Sequence, residues 1–310
     1  MKHEPFDPGI TQSYDGATSR IVNRDGSFNV RRQGVRVHDF HLYQFLISLS
    51  WPLFMAVVLV TFLVVNIVFT ALYVAAGLSG LQGAASPTPG LTLVNAFFFS
   101  VQTLTTVGYG VIAPRTVGTN AIAGVEALMG VMGFAFGAGL LYGRFARPTP
   151  RILFSRAAII APYRDGASLQ FRIANRRRSA LVDLEATVVL MTVEGSGPPA
   201  RRTYAKLELE RPDIYFLPLT WTIVHPIDEA SPLRGMTAAT AAARSLEILV
   251  IVRGFDDTFN QVVNARSSYR ADEIHWGYTF VTAFHHDAGG RLVLDLSKID
   301  AVREAPLRTR

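Results

Sequence analysis

Residues 103–110 read TLTTVGYG, and the rest of the chain is organised around this stretch. Two glycines alternate with residues that carry side chains, so that Gly108 and Gly110 flank Tyr109. If the carbonyl groups of such a loop all point in one direction, alternate residues must adopt backbone angles that residues with a Cβ rarely take. Glycine enters the left-handed region at little steric cost. The stretch therefore predicts a loop that lines a surface with backbone carbonyl oxygens.

The pentapeptide TVGYG is the known sequence of potassium-channel selectivity filters, and we take the choice of ion from that knowledge. Four identical loops supply carbonyl oxygens that replace the hydration shell of the ion. The filter predicted here is Thr106, Val107, Gly108, Tyr109 and Gly110, with K+ at the first four of these residues. The Thr106 hydroxyl can add an innermost ligand, and Val107 and Tyr109 would point away and brace the loop. The alternative is a glycine turn in a soluble loop, which the apolar flanks disfavour.

The composition indicates a membrane protein. The 310 residues are 49% hydrophobic and 17% charged, whereas average soluble domains are about 25% charged. The shortfall is local, because no Asp, Glu, Lys, Arg or His occurs from Leu42 through Pro114. Cysteine is absent, which excludes disulfides and zinc–thiolate sites. Much of the net charge of +6 is arginine beside the apolar segments, a distribution that favours membrane flanks over nucleic-acid binding.

The first fifty residues predict a tail followed by a surface helix. Residues 1–34 are polar and have no sustained period, and we expect a flexible cytoplasmic tail able to pair locally with the C-terminal domain. Residues 35–49 place apolar side chains on one helical face, which predicts an amphipathic helix at the membrane interface. The alternative is that they begin the next helix. Pro52 disfavours this continuity, because the residue before a proline avoids helical angles.

Two apolar stretches are long enough to cross a bilayer, which takes about 20 residues. We predict an outer helix at 51–77 and an inner helix at 119–146, within a pore domain of residues 50–147. A helix predicted at 92–105 is too short to span, so the chain must re-enter the membrane and turn back at the filter. Irregular backbone at that depth is tolerated only where protein buries it or water lines it. The C-terminal end of the short helix carries partial negative charge, which favours a cation below the filter.

One charged residue, Glu126, occurs between residues 119 and 143. A carboxylate inside a membrane is costly and indicates a functional role. We expect Glu126 to support the filter from behind by hydrogen-bonding the backbone of the short helix or of the filter. The alternative places it at the outer water interface, without a role. Small residues at four-residue spacing, in the pairs Gly133/Gly137 and Gly139/Gly143, predict close helix packing. A hinge is the alternative that the sequence leaves open.

The arginines predict the orientation in the membrane. The segment between the spans carries only Arg115, whereas the outer flanks of both spans are rich in arginine. This asymmetry puts both termini in the cytoplasm. A voltage sensor is disfavoured, because such sensors are arginine-rich helices inside the membrane. The flanking arginines that are candidates for binding anionic lipid headgroups are Arg36, Arg144, Arg147, Arg151 and Arg156.

The C-terminal half predicts an all-β domain. From Ile152 onward the hydrophobic period changes to two, and turn residues such as Asp165-Gly166 separate at least five short stretches of this kind. Short strands at this spacing predict an antiparallel sandwich over residues 148–310. Adjacent His285 and His286 would point to opposite faces of a strand, so we do not expect them to bind a metal together.

These residues also give the chain a family likeness, because it resembles the prokaryotic inward-rectifier potassium channels, the KirBac group, from about Arg36 to Ile299. The resemblance implies a homotetramer in a bacterial inner membrane, with an immunoglobulin-like cytoplasmic assembly that extends the pore. It also implies an interfacial slide helix at 35–49. The segments that carry the resemblance are AFFFSVQTLTTVGYG (96–110), LLYGRFARP (140–148), LQFRIANRR (169–177), LTWTIVHPIDEASPL (219–233) and SSYRADEIHWGYTF (267–280).

The resemblance further implies a gate on the inner helix. The constriction of the family falls on Tyr142, with a second narrowing at Phe134, and anionic lipid and motion of the cytoplasmic domain would bias it. Animal relatives place an acidic residue where this chain has Gln102, and strong rectifiers place one where it has Phe134. An aromatic side chain does not attract polyamines electrostatically, so we expect weak polyamine block at Phe134.

The function predicted from the sequence is passive, selective K+ conduction, which breaks no bond and needs no cofactor. A membrane-anchored enzyme is disfavoured, because residues 150–310 contain no Gly-x-Ser-x-Gly, His-Glu-x-x-His or Walker lysine motif. A channel whose cytoplasmic domain binds a nucleotide is also disfavoured, because such a domain would require alternating strands and helices with a Gly-x-Gly-x-x-Gly turn, and the sequence shows neither. A non-conducting receptor or scaffold that retains the channel fold is the alternative that the sequence leaves open.

Overall fold

The computed structural model describes residues 7–10, 12–14, 20–31, 33–34, 41–146, 152–177, 180–195 and 200–307. The chain divides into two units, which we call the helical unit (Gly34–Arg147) and the β unit (Met1–Gln33 with Pro148–Arg310). Three of the predicted lipid contacts, Arg36, Arg147 and Arg151, lie outside the described residues, as does the first part of the predicted slide helix.

The described residues of the helical unit form four α-helices. They are α1 (Leu42–Ser48), α2 (Trp51–Ala76), α3 (Pro89–Leu104) and α4 (Val117–Phe145), with a short 3-10 helix at Leu78–Gly80. By length and composition, α2 and α4 are able to cross a membrane. Most of their side chains are exposed in the single chain, as expected for helices that face lipid or other subunits.

Two helices begin earlier than the sequence predicts. The short helix begins at Pro89 rather than at residue 92, with Thr88 as its N-cap residue. Proline suits the first turn, because the N–H that it lacks has no partner within the helix. The inner helix begins at Val117 rather than at residue 119, because Thr116 and Thr119 form a capping box around its first turn.

The loop before α3 is fastened to the segment that follows the filter. Strands β2 (Leu81–Gln82) and β3 (Ala113–Pro114) pair antiparallel. Gly83 has φ of +81°, and a Cβ there would lie 2.2 Å from the carbonyl oxygen of Val111. The Arg115 N–H donates to the Gly80 carbonyl at 2.8 Å. These contacts hold both ends of the re-entrant segment together.

The β unit contains the remaining strands and helices. Its strands are β1 (Ser13–Tyr14), β4 (Ile152–Phe154), β5 (Ala158–Tyr163), β6 (Gly166–Asn175), β7 (Leu181–Glu194), β8 (Ala200–Leu207), β9 (Asp213–Phe216), β10 (Thr220–Ile227), β11 (Glu247–Asp256), β12 (Gln261–Arg270), β13 (Ile274–Trp276), β14 (Tyr278–Phe280), β15 (Phe284–His286), β16 (Leu292–Leu294) and β17 (Val302–Glu304). Its helices are α5 (Ala238–Ala243) and 3-10 turns at Ala271–Glu273 and Leu296–Lys298.

Two sheets share one buried core. One has the strand order β1-β8-β7-β11-β12 with β9 beside β7, and the other has the order β10-β6-β5-β13 with β4 beside β6. Apolar side chains from both sheets, among them Phe171, Leu184 and Ile248, belong to the same core. The predicted all-β class is therefore confirmed. The expectation of purely antiparallel pairing is wrong at one edge, because β13 pairs with β5 in parallel.

The described N-terminal residues are part of the β unit rather than a separate tail. Ile21 and Val22 are buried against side chains of β7, β8 and β11. The carboxylate of Glu247, on β11, accepts hydrogen bonds from the backbone N–H groups of Ile21 at 3.1 Å and Val22 at 3.4 Å. Burial raises the pKa of Glu247, and these N–H donors offset part of that rise. The polar sequence of this segment gives no indication of these contacts, because they depend on a strand that is distant in the sequence.

A buried histidine links β10 to the loop that follows it. His225 lies with Nδ1 at 2.5 Å from the Glu208 carbonyl, to which it donates, and Nε2 at 2.8 Å from the Ser231 hydroxyl, from which it accepts. The Ser231 oxygen also accepts the Leu233 N–H at 3.2 Å. Burial lowers the pKa of His225 from its ordinary value. The neutral imidazole is therefore the form that this site holds.

We expect the β unit to lose stability in mild acid through His225. Because the folded state lowers the pKa of His225, the unfolded chain takes up the proton first, and stability falls as the pH drops below the ordinary value of about 6.5. His225→Asn keeps a donor for Glu208 but cannot titrate. The measurement is the denaturant midpoint, followed by tryptophan fluorescence, at about pH 8 and about pH 5.5.

The parent should lose more stability between these two pH values than His225→Asn does. His275→Gln is the matched control, because His275 is exposed on β13 and its replacement should leave the pH dependence of the parent unchanged. Equal losses in the parent and His225→Asn would show that His225 is not the titrating group.

Candidate ion-conduction site

The predicted filter has positive φ angles at alternate residues. These angles are 58° at Thr106, 54° at Gly108 and 81° at Gly110. The alternation is the one required for carbonyl groups that point in a common direction. Sequence reasoning assigned the unusual angles to the two glycines alone. Thr106 takes such an angle although it carries a Cβ, which is uncommon for a residue other than glycine.

The first residues of the filter are attached to the last turn of α3. The Thr106 N–H donates to the Thr103 carbonyl at 3.0 Å, and the Val107 N–H donates to the Gln102 carbonyl at 2.9 Å. Carbonyl groups at the end of a helix have no partner within it, so these bonds satisfy two of them. The position of α3 therefore sets where the filter begins.

The rest of the filter has few contacts within the chain. All five residues are exposed, and Tyr109 is 74% exposed. A Cβ built on Gly108 or Gly110 would meet nothing within 4 Å. Within the described ranges, no group of three or more acidic, His or Cys residues is placed to hold a metal ion. The carbonyl oxygens of Thr106 to Tyr109 are thus the candidate ligands for a cation, on a surface that one chain leaves open.

Glu126, on α4, is completely buried. The Tyr73 hydroxyl donates to its Oε2 at 2.7 Å, and the Ser100 hydroxyl is in hydrogen-bond contact with its Oε1. Ser100 in turn lies 3.1 Å from Oδ1 of Asn66. The predicted bond to the backbone of the short helix is wrong, because the contact is made through the Ser100 side chain. The network nevertheless joins α2, α3 and α4.

Sequence reasoning missed the three other members of the Glu126 network. Asn66, Tyr73 and Ser100 are buried in the helical unit. A signal was present, because Asn66 and Ser100 interrupt the apolar runs VVNIVF and FFFSV. Polar groups buried in an apolar environment are hydrogen-bonded, so two such interruptions on different helices indicate that the helices meet there.

Close packing of α4 occurs at one glycine that was predicted, Gly143, and at one that was not, Gly130. A Cβ on Gly130 would lie 2.0 Å from the Leu104 carbonyl oxygen, and one on Gly143 would lie 2.3 Å from the Tyr43 hydroxyl. Gly130 therefore permits a close backbone approach that no larger residue allows, whereas at Gly143 the end of the Tyr43 side chain would have to shift. Gly133, Gly137 and Gly139 have no atom within 4 Å of a built Cβ. Within one chain, the predicted packing at Gly133 and Gly137 is thus wrong.

The predicted constriction residues project from α4 and are largely exposed. Phe134 is 80% exposed and Tyr142 is 76% exposed. They are eight residues apart, which corresponds to about 12 Å along a helix. Large apolar side chains this exposed require cover from lipid or from other subunits.

The described arginines among the predicted lipid contacts have partners within the chain. Arg144 donates to the carbonyl oxygens of Leu46 at 2.8 Å and Leu49 at 2.7 Å, at the end of α1. Its guanidinium also lies 4.7 Å from the ring centre of Trp51. A cation is favourable at a helix C-terminus, so Arg144 joins α4 to α1 instead of projecting free. Arg156 remains largely exposed and pairs with Asp300, with Nε 3.3 Å from Oδ2.

The fold and the site together define a two-span potassium channel subunit. Its parts are two apolar helices, a short helix that ends in a loop of alternating backbone angles, and a β-rich C-terminal unit. The sequence model of the family described as "Ion channel" matches residues 57–145. The model described as "Inward rectifier potassium channel C-terminal domain" matches residues 152–309. The chain belongs to the inward rectifier potassium channel family.

Individual relatives agree with this assignment along nearly the whole chain. The sequence is 38% identical to the inward rectifier potassium channel Kirbac3.1 of Paramagnetospirillum magnetotacticum, over 92% of this chain and 96% of the relative. It is 29% identical to the human ATP-sensitive inward rectifier potassium channel 10, over 91% and 80% of the two chains. It is 27% identical to the mouse ATP-sensitive inward rectifier potassium channel 15, over 93% and 83%. The predicted resemblance to the KirBac group is confirmed.

We expect the contact between Gly130 and Leu104 to be necessary for the packing of α3. Gly130→Ala introduces a methyl group where the Leu104 carbonyl lies, and such overpacking typically costs about 1–3 kcal/mol. The control is Gly133→Ala on the same helix, where space is open and alanine has the higher helix propensity. The measurement is the thermal unfolding midpoint of the purified protein in detergent. A midpoint for Gly130→Ala at or above that of Gly133→Ala would contradict the expected contact.

Proposed function

We propose that the chain is one of four identical subunits that together conduct K+ passively and selectively. Four filter loops around one axis would surround each dehydrated ion with carbonyl oxygens. The observation that carries the proposal is the alternation of positive φ at Thr106, Gly108 and Gly110 in a loop with open space beside it. A turn that served only to connect α3 and α4 would not require strain at Thr106.

The exposure of the filter supports the homotetramer. Irregular backbone in the hydrocarbon region is tolerated only where it is buried in protein or lines water. In one chain all five filter residues are exposed, so lipid would contact them if the subunit stood alone. Additional copies of the chain would cover the filter backbone and so remove the cost of its contact with lipid. They would also complete the set of carbonyl ligands around the ion. Ions in adjacent sites repel one another, which keeps binding from becoming trapping.

The proposed gate lies on α4. Four copies of Tyr142 would narrow the pore, with a second narrowing at Phe134, and the exposure of both side chains leaves them free to meet across an axis. Apolar constrictions close a pore by excluding water. We propose that motion of the β unit biases this constriction.

The membrane orientation follows from the flanking charges. We propose that the protein lies in a bacterial inner membrane with both termini and the β unit in the cytoplasm, in accord with the arginine asymmetry. Anionic lipid would act on the same flank. Arg156 is exposed enough to share its charge with a headgroup, and Arg36, Arg147 and Arg151 stay predicted contacts. Arg144 would contribute through the position of α1, which it holds.

We expect liposomes that contain the purified protein to take up Rb+ and to exclude Na+. Gly108→Ala should abolish selective uptake, because alanine at φ of 54° is strained whatever the available space. The matched control is Gly118→Ala in the first turns of α4, where no atom lies within 4 Å of a built Cβ and the backbone is helical. This variant should retain uptake within about twofold, a change of less than 1 kcal/mol.

Three outcomes would reject the proposed function. Equal uptake of Na+ and Rb+ by the parent would show that no selective cage forms. A detergent-extracted particle that contained a single chain would leave the filter open on every side. Selective binding of a partner with no flux under any lipid composition would favour the receptor or scaffold alternative.

We expect Tyr142→Ala to increase Rb+ uptake without loss of selectivity. Removing four phenol rings would widen the constriction on α4, whereas the filter, which lies on a separate segment, is untouched. The control is Tyr215→Ala, because Tyr215 is 71% exposed on β9 and lies in the β unit. The measurement is the initial rate of Rb+ uptake with Na+ as competitor. A lower rate for Tyr142→Ala, with parent levels of correctly assembled protein, would exclude this residue as the constriction.

A further inference from the structure

The hydroxyl group of Ser100 is surrounded by more acceptors than it has protons. Its Oγ lies 3.1 Å from Asn66 Oδ1 and 3.3 Å from the Asn66 carbonyl oxygen, and it contacts Oε1 of Glu126. A serine hydroxyl carries one proton and can also accept. If Glu126 were ionised, all three neighbours would be pure acceptors that compete for this proton.

The orientation of the Asn66 amide is fixed by its other neighbour. Its Nδ2 donates to the Phe62 carbonyl at 2.8 Å. A carbonyl oxygen only accepts, so exchanging the amide oxygen and nitrogen would place two acceptors against each other. Oδ1 of Asn66 must therefore face Ser100, and it needs a donor. Asn66 is completely buried, so bulk solvent does not reach it.

No cation on the helices around Glu126 compensates a negative charge there. Tyr73 is the ionisable residue on α2, and α3 carries none. On α4 itself the other ionisable residues are Tyr142 and Arg144, in its last turn. The separation between Glu126 and Arg144 is 18 positions, or about 27 Å along a helix. Arg144 is in any case engaged at the end of α1. A buried ionised carboxylate without a paired charge is strongly disfavoured.

We propose that Glu126 carries a proton on Oε1 and donates it to the Ser100 hydroxyl. Ser100 then donates to Oδ1 of Asn66, the Asn66 amide donates to the Phe62 carbonyl, and the Tyr73 hydroxyl donates to Oε2 of Glu126. One added proton thus gives every one of these buried polar atoms a partner. The result is a directed chain of four hydrogen bonds that runs from α2 through α4 and α3 and back to α2.

This chain positions α3 between the two spanning helices. Ser100 is its only contact point on α3, four residues before the helix ends at Leu104. The protonation state stands on the geometry of the helical unit alone. Its consequence for ion selectivity, by contrast, rests on the proposed function, because it acts through the placement of the filter. The test therefore detects the proton on Glu126 directly and does not measure ion flux.

The experiment compares infrared spectra of the full-length protein and Glu126→Gln in detergent at neutral pH. A protonated carboxylic acid has a carbonyl stretch separate from the bands of a carboxylate, so the difference spectrum should lose the acid band. Glu185→Gln is the control, because Glu185 is exposed on β7 and its replacement should remove carboxylate bands only. Loss of carboxylate bands alone in Glu126→Gln would overturn the proposal, whether or not the protein conducts.

A second variant covers the case in which Glu126→Gln does not fold. Ser100→Ala removes the acceptor of the carboxylic proton, and the acid band of the parent should shift to higher frequency. An unshifted spectrum would show that no protonated carboxyl group faces Ser100. Glutamine also reproduces the donor and acceptor pattern of the protonated acid. Where it folds, Glu126→Gln should match the thermal midpoint of the parent, whereas Glu126→Ala should fall below it.

Discussion

The helical unit depends on one constraint, which is that polar groups buried among apolar helices must find partners inside the chain. A bilayer core offers no water to an unpaired hydroxyl, amide or carbonyl group. The polar side chains of α2, α3 and α4 therefore meet at Glu126, where Ser100 and Tyr73 contact the carboxyl group. The same requirement brings Arg144 to the carbonyl groups that end α1. Polar pairing therefore acts together with apolar contacts, such as that of Phe69 and Phe99 in one buried cluster, to specify which helix lies against which.

Features of the fold that depend on local sequence could be predicted, and those that depend on distant contacts could not. The length of an apolar run fixes α2 and α4, and the change of period after Ile152 indicates strands. Helix starts were misplaced by two or three residues because capping is decided by single threonines, such as Thr116. The attachment of Ile21 to the β unit was not predictable in detail, since its partner Glu247 lies more than two hundred positions away.

The site shows the same division at the level of single residues. The backbone angles of Gly108 and Gly110 are predictable from the sequence, because glycine is the residue that adopts them freely. The positive φ of Thr106 could not be predicted from the residue type, because the loop imposes this angle on a residue that does not favour it. Glu126 could be singled out as a charge in an apolar run, but its partners require knowledge of which helices touch. The close approach at Gly130 likewise follows from where α3 ends.

The position of the filter is consequently decided by α3 and not by the contacts of the filter itself. The loop donates three backbone hydrogen bonds, from Thr106, Val107 and Gly108, to carbonyl groups of the last turn of α3, and the space beside Gly108 and Gly110 is open. That helix is held one turn before its end by Ser100 and at its end by the fit of Leu104 against Gly130. Because α3 is fixed at two points, it moves as one rigid body. A small shift at Glu126 or Gly130 is therefore transmitted to the carbonyl groups that begin at Thr106. In the proposed tetramer, packing several residues away from any ion would thus control the geometry of the carbonyl ligands.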